Sequence, residues 1–179
     1  QTAAETRLAA SGIGADFDVD ERDNVARLVG LAALKFADLQ NARLTNYVFD
    51  ADRFTAFEGK TGPYLLYAAV RIKSILRKAY EMDAAFAPID PQDDAEIALV
   101  LAMDAYPKAL ALAAEKRAPH ILCDHIYSLA QAFSRFYTNC PILVEETPDD
   151  VRGSRLSLAK ATLTQLEHGL GIIGLDVPD

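Results

Sequence analysis

The chain has 179 residues, 51% apolar and 25% charged, with a net charge of −8. That is the composition of a globular protein able to bury a core. A surface of that sign excludes indiscriminate binding to nucleic acid or anionic membrane, so any such contact has to be local. No apolar run is read as approaching the roughly 18 residues of a membrane span, and the opening QTAAETRLAA lacks the apolar centre of a signal peptide. The two cysteines, Cys123 and Cys140, make neither a disulfide framework nor a metal cluster. They fit a reduced, cytoplasmic protein in which both thiols are buried.

Residues 3–10 predict a short helix ended by Ser11-Gly12. Residues 21–39 place Val25, Leu28, Val29, Ala32, Phe36 and Leu39 at helical spacing after Asp20, a suitable N-cap. The next stretch, NARLTNYVFDADRFTAFEGKTGPY, has no clean period. It reads as a short extended piece and then a turn at Gly59–Pro63. A helix over 64–81 follows, with Leu65, Ala68, Ala69, Ile72, Ile75, Leu76 and Ala79 on one face. FAPIDPQD reads as a solvated linker. Residues 92–104 are apolar nearly all round and predict a well-buried helix. Pro107 and Pro119 each open a further helix, to about Arg117 and over 119–138. CPILVEETP is a loop, and a last helix runs over 149–173 with Gly174 placed to end it. The fold class is all-α, a helical bundle preceded by a partial, mostly helical segment.

Catalytic chemistry is not legible. Gly12-Ile13-Gly14 lacks the later glycine and the preceding strand of a phosphate loop. His120 and His125 are five apart rather than the four of a helical zinc pair, and His168 sits near a helix end. No nucleophile–base pair is found, and neither a catalytic residue nor a metal ligand is assigned.

Residues 57–80, FEGKTGPYLLYAAVRIKSILRKAY, are different. They hold five basic residues against one acid, Glu58. With Leu65 at zero and about 100 degrees per residue, Tyr64, Tyr67, Arg71, Ser74 and Lys78 fall between about 180 and 260 degrees, beside the apolar face. Rings, a guanidinium, a hydroxyl and an ammonium in one stripe suit single-stranded RNA, whose bases stack on tyrosine while cations reach phosphates. The same spacing also fits tyrosines packed at the core margin beside a solvated cationic face.

FEGKTGPYLLYAAVRIKSILRKA resembles the helix that begins the C-terminal anticodon-binding domain of arginyl-tRNA synthetases. VGLAALKFADLQNARLTNYVFDADRFTAFEGKTGPY (29–64) resembles the end of that family's catalytic domain. APHILCDHIYSLAQAFSRFYTNCPIL (118–143) resembles its long helix with a Phe-x-x-Phe-Tyr ending, and SRLSLAKATLTQLEHGLGIIGLDVPD (154–179) its last helix and tail. The resemblance implies a class I synthetase type of bundle, with 1–62 the remnant of a catalytic domain and 63–179 the anticodon-binding domain. It implies an RNA-binding set of Tyr64, Tyr67, Arg71, Lys78, Tyr137 and Arg155, with an ion pair as the competing role for Arg155. The partners it implies are the anticodon loop of arginine tRNA and the N-terminal catalytic domain, with no membrane. It implies no cofactor in this chain, and ATP with magnesium for a parent that joins arginine to its tRNA through an arginyl-adenylate. Neither ATP-handling signature of the family, a His-x-Gly-His type string or a Lys-Met-Ser-Lys type loop, occurs here. Lys60 and Leu66 stand where the family usually has Asn and Gln, and the family tail runs past the proline to an Arg-Met end. A stand-alone helical module that binds a protein through the tyrosine stripe is the alternative. Bared surface on 1–62, with Phe36, Phe49, Phe54 and Phe57, is a candidate for self-association.

Overall fold

The computed structural model describes residues 18–48 and 50–178. The expected helix at 3–10, Gly12-Ile13-Gly14 and Phe49 lie outside the described residues. Among those described there are seven helices and no strand. They are α1 (Val19–Leu39), α2 (Ala51–Phe54), α3 (Gly62–Glu81), α4 (Asp94–Asp104), α5 (Tyr106–Lys116), α6 (Pro119–Asn139) and α7 (Asp149–Ile172). The long helix α6 is central and touches α1, α3, α4, α5 and α7, while α3 packs on α1 and α7.

The N-cap of α1 is Asp18, not the expected Asp20. The Asp18 carboxylate accepts from the Glu21 N–H at 2.8 Å, and the Glu21 carboxylate accepts from the Asp18 N–H at 3.3 Å. A glutamate three residues on satisfies two orphan helix-end donors at once, which Asp20 cannot do. The next segment is not extended. It is a loop interrupted by the single turn of α2, whose Phe54 is buried and meets the Tyr47 ring edge-on. The turn sits at Gly59, with φ +75°, and α3 starts at Gly62, two residues earlier than its apolar period suggests. The Thr61 hydroxyl donates to the Ala56 carbonyl at 2.7 Å and accepts from the Tyr64 N–H at 3.2 Å. Pro63 occupies the first turn, where its missing N–H costs nothing.

Gly62 also lets α3 cross α1 closely. A Cβ there would lie 2.1 Å from the Ala32 carbonyl oxygen. This crossing places Ala26, Val29, Ala32 and Phe36 of α1 in one continuous core with Leu65, Ile72, Ile126, Phe133, Phe136, Leu156 and Leu166 of the bundle. Phe36 and Phe54 are therefore buried and Phe57 half-buried, so these rings are not the bared surface expected of the N-terminal segment. The exposed large apolar side chains among the described residues there are Val19, Leu31, Leu34, Leu44, Tyr47 and Val48. Both thiols are buried as expected. Burial pushes Cys123 up to about 12 and Cys140 up to about 11, so both are inert thiols at neutral pH.

Two further expectations fail on α4 and its surroundings. The helix is not well buried. Only Glu96 and Leu99 are, while Leu101 is 64% exposed and Ile97 43% exposed. Its contacts with α5, α6 and α7 leave Ile97 and Leu101 uncovered, so an apolar composition all round puts an apolar face outside. By length and composition Asp94–Lys116 would also pass for a membrane-crossing segment, against the reading that no run comes near one. Here it is two helices meeting at Ala105, with an ion-paired glutamate at its start. The linker before α4 keeps its carboxylates in water but ties its backbone to α7. The Ser157 hydroxyl donates to Ala87 O at 2.5 Å, and the Asp90 N–H donates to the Ser154 hydroxyl at 2.9 Å.

Candidate nucleic-acid interface

The Thr61 cap sets the register of α3. With Leu65, Leu66, Ala69 and Ile72 turned into the core, Tyr67, Arg71 and Lys78 point away from it. On α6, burial of Phe133 and Phe136 does the same for Tyr137. The two tyrosines are 38% and 41% exposed, and Arg71 stands between them. Its guanidinium carbon lies 4.6 Å from the Tyr67 ring centroid and 5.8 Å from that of Tyr137. Nη2 also donates to the Tyr67 hydroxyl at 2.9 Å.

Each tyrosine has a rigid backing. The Tyr137 ring stacks on buried Phe133 at 6.2 Å and 14°, and the Tyr67 ring takes the edge of Phe57 at 6.5 Å. The ledge has a groove on either side. One, of 520 Å³, is lined by Arg71, Ser74, Lys78, Tyr137 and the loop Pro141–Val144. The other, of 400 Å³, is lined by Phe57, Glu58, Tyr64, Tyr67, Arg71 and Ser134. An exposed, braced ring beside a cation and a groove is a platform on which an unstacked base can lie.

Of the six residues expected from sequence, Tyr67, Arg71, Lys78 and Tyr137 come together at this ledge. Tyr64 lines the smaller groove but is half-buried. Its ring meets Tyr127 edge-on at 5.6 Å, and its hydroxyl is 3.3 Å from that of Ser134. Arg155 is not at the surface of the ledge. Its Nε donates to the carboxylate of buried Glu96 at 2.5 Å and its Nη1 to Pro141 O at 2.7 Å, so both donors serve the fold. Burial alone would raise the Glu96 carboxyl. The N–H groups of Gln92 and Asp93 and the Arg155 guanidinium outweigh it and hold the carboxyl below its usual range. The pairing still touches the ledge, because Pro141 begins the loop that walls the larger groove.

Sequence reading missed Phe57, Phe133 and the Pro141–Val144 wall. The signal for Phe133 was present, since it lies four residues before Tyr137 on the same helix face. The wall had none, because its position depends on Arg155 and on Arg152. Arg152 donates to the Val144 and Thr147 carbonyls at 3.2 and 2.8 Å. His168 is not simply solvated. Its Nδ1 is 2.5 Å from the Tyr106 hydroxyl.

Residues 65–179 match the family described as the DALR anticodon binding domain. Among curated proteins, the chain is 58% identical to an arginine–tRNA ligase of Maricaulis maris and 53% identical to one of Hyphomonas neptunium, over 98% of its own length in each case. It spans only 30% of the length of each. Among solved structures it is similar to the Thermus thermophilus arginyl-tRNA synthetase, with a TM-score of 0.85 and 30% identity over 99% of this chain and 30% of that one. It shares its fold with the Plasmodium falciparum enzyme at a TM-score of 0.80 and 24% identity, over 98% of this chain and 31% of that one. With its own braced helices arranged as those of arginyl-tRNA synthetases are, this chain belongs to the DALR anticodon-binding domain family.

Proposed function

We propose that this chain is the anticodon-binding part of an arginine–tRNA ligase, and that Tyr67 and Tyr137 stack on unpaired bases of the anticodon loop of arginine tRNA. The observation that carries the reading is the pair of exposed, backed rings astride Arg71 in a chain whose net charge is −8. Lys78, beside the larger groove, is assigned to a phosphate. Residues 63–179 are read as the binding domain, supported by the family match over 65–179. Residues 1–62 are read as the end of a catalytic portion, whose remainder would cover Leu31, Leu34, Leu44 and Val48. That larger portion would bind ATP with magnesium and form the arginyl-adenylate in the cytoplasm. This chain would supply tRNA recognition and no bond-making step.

The test is titration with an arginine-tRNA anticodon stem-loop and with a hairpin of the same stem and a scrambled loop. Tighter binding of the first, weakening steeply with added salt as counterions are released, is the expected result. Equal affinity for the two hairpins would sink the reading and favour a protein partner for the same face.

A further inference from the structure

The Arg71 side chain is half-buried and lines both grooves. Among the described residues it has no carboxylate partner, and its contacts are the faces of Tyr67 and Tyr137 and the Tyr67 hydroxyl. A planar guanidinium can lie against one ring and reach a second, whereas an ammonium is a compact, strongly hydrated point charge. We infer that Arg71 is a positioning residue rather than an RNA ligand. It ties Tyr67 of α3 and Tyr137 of α6 into one ledge that parts the two grooves, so that neighbouring loop bases are received on opposite sides of it. The inference rests on the anticodon reading above and adds to it a division of labour between two cations: Arg71 holds the rings, Lys78 holds the phosphate.

That division is measurable in the whole 179-residue chain with the arginine-tRNA stem-loop as the probe. Lys78→Met removes one phosphate contact and lowers the slope of log affinity against log salt by about 0.7, the value for a single strand. Arg71→Met weakens binding about tenfold and leaves the slope unchanged. Arg71→Lys keeps the charge and does not restore affinity. Tyr67→Ala and Tyr137→Ala are non-additive in the parent and become additive when Arg71 is Met, because the tie between them has gone. In the RNA-free chain, Arg71→Met shifts the ring resonances of both tyrosines while helicity by circular dichroism is retained.

A salt slope that falls with Arg71→Met as it does with Lys78→Met, or full rescue by Arg71→Lys, overturns the inference and leaves the anticodon reading standing. A parent chain that cannot tell the stem-loop from its scrambled control removes the anticodon reading and the inference with it.

Discussion

Two arginines of this molecule, both in the expected RNA-binding set, face opposite kinds of partner. At the α3–α6 ledge, Arg71 faces two tyrosine rings at the surface. At the α4–α7 seam, Arg155 faces the carboxylate of Glu96, which is 2% exposed. Rings leave a guanidinium near solvent and beside open grooves. A buried carboxylate takes its charge inside and leaves little for a ligand. Whether a basic residue on a candidate surface is available is therefore decided by what the opposite helix presents to it, and that partner can lie 59 positions away along the chain.

The largest expected effect breaks the seam. Arg155→Met leaves the Glu96 carboxylate buried with only backbone N–H partners. Removing one member of a buried pair should cost about 3 kcal/mol in urea unfolding followed by circular dichroism. The pH dependence has a definite sign. Glu96 is held below its ordinary value in the folded chain, so the stability it contributes is present above about pH 4.3, the unperturbed glutamate value. It is lost as pH falls through the lower folded value. Glu96→Gln should flatten that acid limb relative to the parent.

The next effect is on the crossing that sets the ledge's register. Gly62→Ala puts a methyl group within 2.1 Å of the Ala32 carbonyl oxygen, a backbone atom that cannot swing aside. The helices have to separate, at a cost of about 2–3 kcal/mol for overpacking. This change should also weaken stem-loop binding, because α3 carries Tyr67 and Arg71. If α3 keeps its place, the variant will lose stability and bind as before.

Tyr137→Ala comes third and separates ligand contact from packing. It removes a half-exposed ring from the back of Phe133, so the melting temperature should move little. Stem-loop affinity should fall by about 2 kcal/mol, within the usual range for loss of one base-stacking ring. A fall in melting temperature with unchanged affinity would place Tyr137 with Tyr64 among the packing residues.

The contrast also marks what one-dimensional pattern can carry. Helix positions, the apolar face of α3 and the outward stripe of Tyr67, Arg71 and Lys78 follow from a period of 3.6 and were legible. So was the family, from strings spread along most of the chain. The Asp18 cap was overlooked although Glu21 advertises it. An ion pair was one of the two roles open for Arg155, but its partner was not readable, because a pair across two helices depends on their crossing and not on either sequence alone. The same holds for the wall at Pro141–Val144, which the two arginines of α7 hold by its carbonyls. The exposure of α4 was misread for a different reason. Composition told how apolar the helix is, and only the arrangement of its neighbours tells how many of its sides are covered.

That last point gives the smallest effect and the clearest contrast with the ledge. Leu101 on α4 is as apolar as Leu99 two residues before it, yet one is 64% exposed and the other fully buried. Leu101→Ser removes little apolar area from contact with protein, so stability should change by no more than about 0.5 kcal/mol, as for ordinary surface substitutions. Leu99→Ala, by contrast, opens a cavity against the core and should cost about 2–5 kcal/mol. Chemical denaturation of the two variants side by side measures how much of α4 is covered in solution. A loss above 1 kcal/mol for Leu101→Ser would mean that something in solution packs on that face, and a concentration-dependent midpoint would identify it as a second copy of the chain, since dissociation on unfolding makes stability depend on protomer concentration.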